Sequence, residues 1–261
     1  MNVKIKKLAA LFLSLTLLLC ATTACTKKRS AKDVMQSSLK KSSNLKSSSF
    51  SGTASYNIET GKKGSQSNVN IKMNFDTKLQ TVDKTNLKMS MDSTINMLGQ
   101  SIDMKMYYAD GYYYMNTNGT KQKMKMDIAS LQKQLQSTTG QTSFPIKYYK
   151  DLKLSEKDGN TVIKYSINQD GLNKYVADIT SQMTTVTGNS NSIKISSLTG
   201  TKTLNDKDIP VAESIKMVME SNDTQVGKIT IKMDLTYHDP GKSVTVTLPD
   251  DLNSYQEISN K

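Results

Sequence analysis

Tryptophan is absent from this 261-residue chain, histidine occurs once, cysteine twice and proline four times. Each scarcity excludes something. One histidine, His238, leaves no His cluster for zinc, and any Ser-His-Asp arrangement must run through it. His238 opens the turn sequence His238-Asp239-Pro240-Gly241, where Pro and Gly set the backbone, so it reads as solvated surface rather than as a base. Adjacent or near-adjacent acids, Asp250 with Asp251 and Asp206 with Asp208, also read as turns. No catalytic residue, metal or cofactor is expected, and an enzyme ranks behind every non-catalytic reading. Without tryptophan, and with 36% apolar residues, the core must come from Met, Leu, Ile, Val and Tyr.

Both cysteines lie at the N-terminus. Lys4, Lys6 and Lys7 precede an apolar or small-residue run, Leu8–Leu19, and Ala21-Thr22-Thr23-Ala24-Cys25 follows. That order reads as a lipoprotein signal. The run is about a dozen residues, short for roughly 30 Å of hydrocarbon. Cys20 has Leu17 three residues before it, but bulky Leu19 stands at the cut. Cys25 follows small Ala24, with Thr22 at the usual Leu position, and is the expected lipidation site. The expected organisation is a removed signal over 1–24, a lipidated cysteine and basic tether over 25–30, and one domain over 31–258. An ordinary signal peptide beside an incidental cysteine is the competing reading. Processing leaves the mature domain without a disulfide or a Cys metal site.

Removing residues 1–24 takes three lysines and no acid, lowering the charge from +12 to +9 and the length from 261 to 237. A cationic protein at an anionic envelope follows, with Thr26-Lys27-Lys28-Arg29 attracted to acidic lipid. The export signal and the lack of a reading helix argue against nucleic acid.

Ser30-Ala31-Lys32-Asp33 predicts a helix start, with Val34, Met35 and Leu39 on one face to about Lys46 and Ser47–Ser49 ending it. From Phe50 the period becomes two. Strands are expected around Phe50–Glu59, Val69–Phe75, Leu87–Met97, Ile102–Tyr108, Tyr112–Met115 and Lys121–Met126. Turns at Leu98-Gly99, Asp110-Gly111 and Asn118-Gly119 join them as an antiparallel meander. Asp127 predicts a helix cap, with Ile128, Leu131 and Leu135 on its face. Strands near Lys150–Leu154 and Thr161–Ile167 meet at Asp158-Gly159-Asn160. Leu172, Tyr175, Val176, Ile179 and Met183 make a helical stripe over Gly171–Thr185. Strands are expected again at Ile193–Leu198, Val211–Glu220, Gly227–Tyr237 and Ser243–Leu248. The fold class is α+β: one domain built on a long antiparallel sheet of about ten strands, with a few helices packed on its apolar face.

Methionine is abundant where other core residues are not. Of 15 in the chain, most fall on alternating strand positions, including the pairs Met89/Met91, Met104/Met106, Met124/Met126 and Met217/Met219. Residues i and i+2 of a strand point the same way, about 6.6 Å apart. Such a stripe is ordinarily core. Thioethers also suit a cavity that accepts variable apolar shapes, which makes Met73, Met89, Met91, Met104, Met106, Met217, Met219 and Met233 the cavity candidates. Paired thioethers suit Cu(I) as well, but no Cys or His cluster accompanies them. Tyr107, Tyr108, Tyr112, Tyr113 and Tyr114 bracket one hairpin, where cross-strand packing is the expected role.

The helix after a lipidated cysteine, the meander, the segment Tyr108-Ala109-Asp110-Gly111-Tyr112-Tyr113-Tyr114-Met115 and the closing Val244-Thr245-Val246-Thr247-Leu248-Pro249 together resemble the LolA and LppX/LprG-like superfamily. The resemblance spans roughly residues 30 to 258. It implies a curved half-barrel of about eleven strands, helices plugging its concave side, and a hydrophobic cavity between. It also implies carriage or sensing of lipoproteins or glycolipids. No position matches a family motif one to one, because that family's cavity residues form none.

Two functions are expected to compete. The first is a membrane-anchored, extracytoplasmic, non-catalytic lipoprotein that holds a lipid or other long apolar ligand, and the Lys/Asn/Ser/Thr-rich composition fits a Gram-positive host. The second is a surface interaction or regulatory lipoprotein without a ligand cavity, contacting anionic envelope polymers or a protein.

Overall fold

In the computed structural model the described residues are 29–60, 67–81, 86–131, 144–177, 193–221 and 226–258. The signal segment, Cys25, the distal parts of the two later helices and the break expected at Thr187–Asn191 lie outside them. Helix α1 covers Ala31–Ser43, with Asp33 in its first turn and Lys40 and Lys41 in its last, the charge order that a helix dipole favours. Lys46 is outside it, and Ser47–Ser49 already belong to the first strand.

Twelve strands follow: β1 Ser47–Thr60, β2 Ser67–Thr81, β3 Leu87–Met97, β4 Gln100–Ala109, β5 Tyr112–Thr117, β6 Thr120–Lys125, β7 Tyr149–Lys157, β8 Asn160–Ile167, β9 Ile193–Leu204, β10 Pro210–Ser221, β11 Val226–His238 and β12 Gln256–Glu257. They form one curved, unclosed sheet in the order β12-β6-β5-β4-β3-β2-β1-β11-β10-β9-β8-β7. Every pairing is antiparallel except the short parallel one between β12 and β6. The first six strands are the expected meander. Its tight turns share one solution: Leu98-Gly99, Asp110-Gly111 and Asn118-Gly119 all have positive φ at both residues, as does Asp158-Gly159 between β7 and β8. A right-handed twist asks for this at two-residue hairpins, and glycine supplies the second position without strain.

One expected strand is absent, and another takes its place. Residues 243–249 run without a ladder. The Val244 amide donates to Ser47 Oγ at 2.8 Å and the Val246 amide to Gln80 Oε1 at 3.0 Å. β1 and β2 are interior strands with both edges already paired, so alternating Val244 and Val246 find side-chain acceptors instead of a sheet edge. The sheet ends instead on β12.

The apolar face carries two clusters. One gathers Phe50, Ala54, Met73, Phe75, Met89, Met91, Met106, Tyr108, Tyr113, Leu131, Met233 and Leu235. The other gathers Val34 and Met35 of α1 with Phe144, Ile163, Tyr165, Ile167, Leu172, Tyr175, Ile195, Leu198, Leu204 and Met217. Leu131 comes from helical residues 128–131, and Leu172 and Tyr175 from helical residues 169–177. Asp127 caps the former as expected: its carboxylate accepts from the Ser130 amide at 2.8 Å and the Ser130 hydroxyl at 2.9 Å. Those bonds hold its pKa below the usual carboxylate value. Ser37 Oγ donates to Asp208 at 2.6 Å and Lys41 pairs with the same carboxylate, tying α1 to the β9–β10 turn.

The sheet has two outer edges. β7 shifts register between Lys150 and Lys153, with Asp151 at φ +54°, and exposes Lys150, Lys153 and Lys157. On β6, Lys121 pairs with Asp251 at 2.5 Å and β12 covers Gln122 and Lys123.

Candidate functional site

Between α1, the β1–β2 end of the sheet and β8–β10 lies a cavity of about 320 Å³. Its aliphatic wall is made by Leu39, Leu79, Leu87, Leu198, Ile209 and Ile215. Its other wall is polar and buried. Lys202 on β9 and Glu213 on β10 are direct cross-strand partners, 8% and 7% exposed. Lys202 Nζ donates to Glu213 Oε2 at 2.8 Å, and the Tyr165 hydroxyl donates to Glu213 Oε1 at 2.8 Å.

Local sequence explains the arrangement. Tyr165 on β8 pairs with Gly200 on β9, and a Cβ at Gly200 would sit 2.3 Å from the ring tip of Tyr165. Only glycine lets that ring lie across β9 and reach Glu213. Tyr149 packs edge-on against Tyr165, ring centroids 5.2 Å apart, and borders the same cavity. Burial first, and then the charge of Glu213, push the Tyr149 and Tyr165 phenols above their ordinary pKa of 10.0. Both therefore remain neutral hydroxyl donors. Burial also pushes Tyr175 up to about 12. Ser42 of α1 borders the cavity too, its buried hydroxyl without a hydrogen-bond partner among the described residues.

The eight methionine candidates lie elsewhere. Met73, Met89, Met91, Met106 and Met233 are buried in the first cluster, and Met104 packs against it. Met91 stands directly opposite Met106. Met217 belongs to the second cluster and Met219 packs against it. None borders the 320 Å³ cavity, although Leu79 and Leu87 of its wall rest on the first cluster. Met104 borders a separate open groove on the solvent side, with Asp76, Asp92, Asp103 and Asp234. Among the described residues no group of three or more His, Cys, Asp or Glu is disposed to hold a metal ion.

His238 ends β11, its Nε2 2.8 Å from Ser51 Oγ, at the rim of the cavity. Tyr108 and Tyr113 are register partners across β4 and β5, as are Tyr107 and Tyr114, and the Tyr114 ring contacts those of Tyr112 and Tyr255. The polar wall was not anticipated. Its signal is a lysine in phase with Leu198 and Leu204, opposite a glutamate in phase with Ile215 and Met217.

The sequence profile of DUF6612, a family of unknown function, matches residues 30–256. The chain belongs to the DUF6612 family. No curated protein matches this DUF6612 chain. Its structure is similar to lipoprotein LppX of Mycobacterium tuberculosis, at 12% identity and TM-score 0.44 over 83% of this chain and 98% of that one. It is similar to LprF of Mycobacterium bovis at 14% identity and TM-score 0.44, over 84% and 96% of the two chains. The LolA superfamily protein NE2245 of Nitrosomonas europaea aligns over 86% of this chain and 97% of that one, at 8% identity and TM-score 0.22.

Proposed function

We propose that the protein is an extracytoplasmic lipoprotein, held at the membrane through Cys25, that takes up a lipid or similar amphiphile without catalysing a reaction. The supporting observation is the cavity of about 320 Å³ with an aliphatic wall on a curved sheet. That volume lies at the low end of small-ligand sites, roughly 300–1,000 Å³. An apolar chain entering it gains about 0.8 kcal/mol per buried methylene. The thioethers of Met73, Met89, Met91, Met104, Met106 and Met233 would supply an adaptable floor behind Leu79 and Leu87, and Met217 and Met219 a second one behind Leu198 and Ile215. Thioether side chains re-pack around different shapes at low cost.

The protein isolated from membranes of its own host should release a non-covalent lipid on denaturation, seen by native mass spectrometry. It should also carry an alkyne fatty-acid label that Cys25→Ala loses. A ligand-free mass, together with no uptake of Nile red, would remove the carrier reading. One observation favours the second reading, contact with an anionic polymer. Lys72, Lys232 and Lys216 are exposed in one row across β2, β1, β11 and β10, with Lys232 directly opposite Lys216. Co-sedimentation with polyphosphate, lost when these lysines become glutamines, would support that reading.

A further inference from the structure

We infer that Lys202, Glu213, Tyr165 and Ser42 form a recognition site for the uncharged, oxygen-rich head of an amphiphile whose chain lies along the aliphatic wall. This rests on the carrier reading and specifies its ligand class. An ammonium has three N–H donors, and Lys202 uses one on Glu213 among the described residues. Ser42 contributes a buried hydroxyl without a partner among them, from α1. These groups border one cavity, so ester or hydroxyl oxygens placed there would meet donors that the fold leaves unused.

At the polar wall the charge pattern selects against ionised heads, while exposed Lys46 and Asp239, the latter paired with Lys242, border the outer part of the same cavity. Lys202 is neutralised by Glu213 at 2.8 Å, so an anionic head drawn to the ammonium would bring a like charge beside a buried carboxylate. A cationic head would meet Lys202. Repulsion of either kind is strong where water is scarce. A neutral head accepts from Lys202 and exchanges hydrogen bonds with Ser42 without disturbing the pair. Stability does not account for this pair, because apolar residues of similar volume usually replace a buried ion pair at no loss. The head chemistry named here occurs in acylglycerols and in glycolipids.

The test is displacement of Nile red from the full-length protein by four ligands sharing a lauryl chain: monolaurin, dodecyl glucoside, laurate and dodecyltrimethylammonium. Monolaurin or the glucoside should bind at least about tenfold tighter than either ion, the equivalent of about 1.4 kcal/mol. The tighter of the two indicates the ester or the sugar source. The double variant Lys202→Met/Glu213→Leu, which leaves no orphan charge, should bring all four within about twofold of one another. Should that variant not fold, Ser42→Ala should weaken the neutral ligands about fivefold and leave laurate unchanged. Tightest binding by laurate or by the cation, selectivity that survives the double variant, or a silent Ser42→Ala would overturn the inference and leave chain uptake standing. Failure of all four ligands, with no Nile red bound, would overturn the carrier reading as well.

Discussion

The two clusters on the apolar face are both filled by apolar side chains, and only the second borders a buried polar network. The first, over β1–β5 and β11, relies on thioethers and aromatic rings: Met91 against Met106, Met89 against Tyr108, Phe50 edge-on to Phe75 at 6.4 Å. The second, over β8–β10, joins at a wall where the Glu213 carboxylate accepts from both Lys202 and Tyr165. Apolar shape specifies the first, and the second adds a hydrogen-bonded network at its border. The first should therefore tolerate exchange of one apolar side chain for another, while the second should tolerate loss of the whole network but not of half of it.

The largest effect that separates them is removal of one charge. Lys202→Met or Glu213→Leu alone should cost about 3–5 kcal/mol in urea unfolding, because the other charge stays buried without its partner. The double variant should recover that loss and match or exceed the parent. A double variant no more stable than either single one would end the distinction between the clusters. In the first cluster, Met89→Ala should cost about 2–5 kcal/mol through the cavity that it leaves. Met89→Leu should cost less than about 1.5 kcal/mol, since thioether and isobutyl groups fill similar volumes. A Leu variant as damaged as the Ala variant would mean that the thioether geometry itself is specified.

Alkaline pH gives the smallest and most selective comparison. Burial holds the Tyr165 proton well above the ordinary phenol value of 10.0, so the native state keeps a proton that the unfolded chain has released. The associated stability is complete below pH 10.0 and is lost as pH rises through the folded value. The thermal midpoint should fall above that pH. Tyr165→Phe should flatten the fall more than Tyr108→Phe, whose phenol is raised by burial and Asp127. Equal flattening would place the titration outside the second cluster.

These contrasts follow what the sequence made legible. The meander of β1–β6 was readable because alternation, Gly-containing turns and the Asp127 cap agree with one another. The second half of β9 was not. The expected strand stopped at Leu198, since Gly200 and Lys202 stand where the pattern asks for apolar residues, and those residues build the polar wall. The site and the end of the strand were hidden by one cause. The reverse holds at Ser243–Leu248, where alternation is present but no sheet edge is free to receive it. Pattern reports what a segment can pair with, and topology decides whether a partner is left.

The two ends of the unclosed sheet bear on how the molecule behaves in a crowd. A flat strand with unpaired amides is a template on which another copy can extend the sheet. Here the bulge of β7 interrupts the ladder between Lys150 and Lys153. At the far end, β12 occupies part of β6 in parallel, and Lys121 is drawn toward Asp251 and the ring of Tyr255. A dense population of such molecules has no clean strand to offer its neighbours, so twelve strands can stay in an unclosed sheet without polymerising.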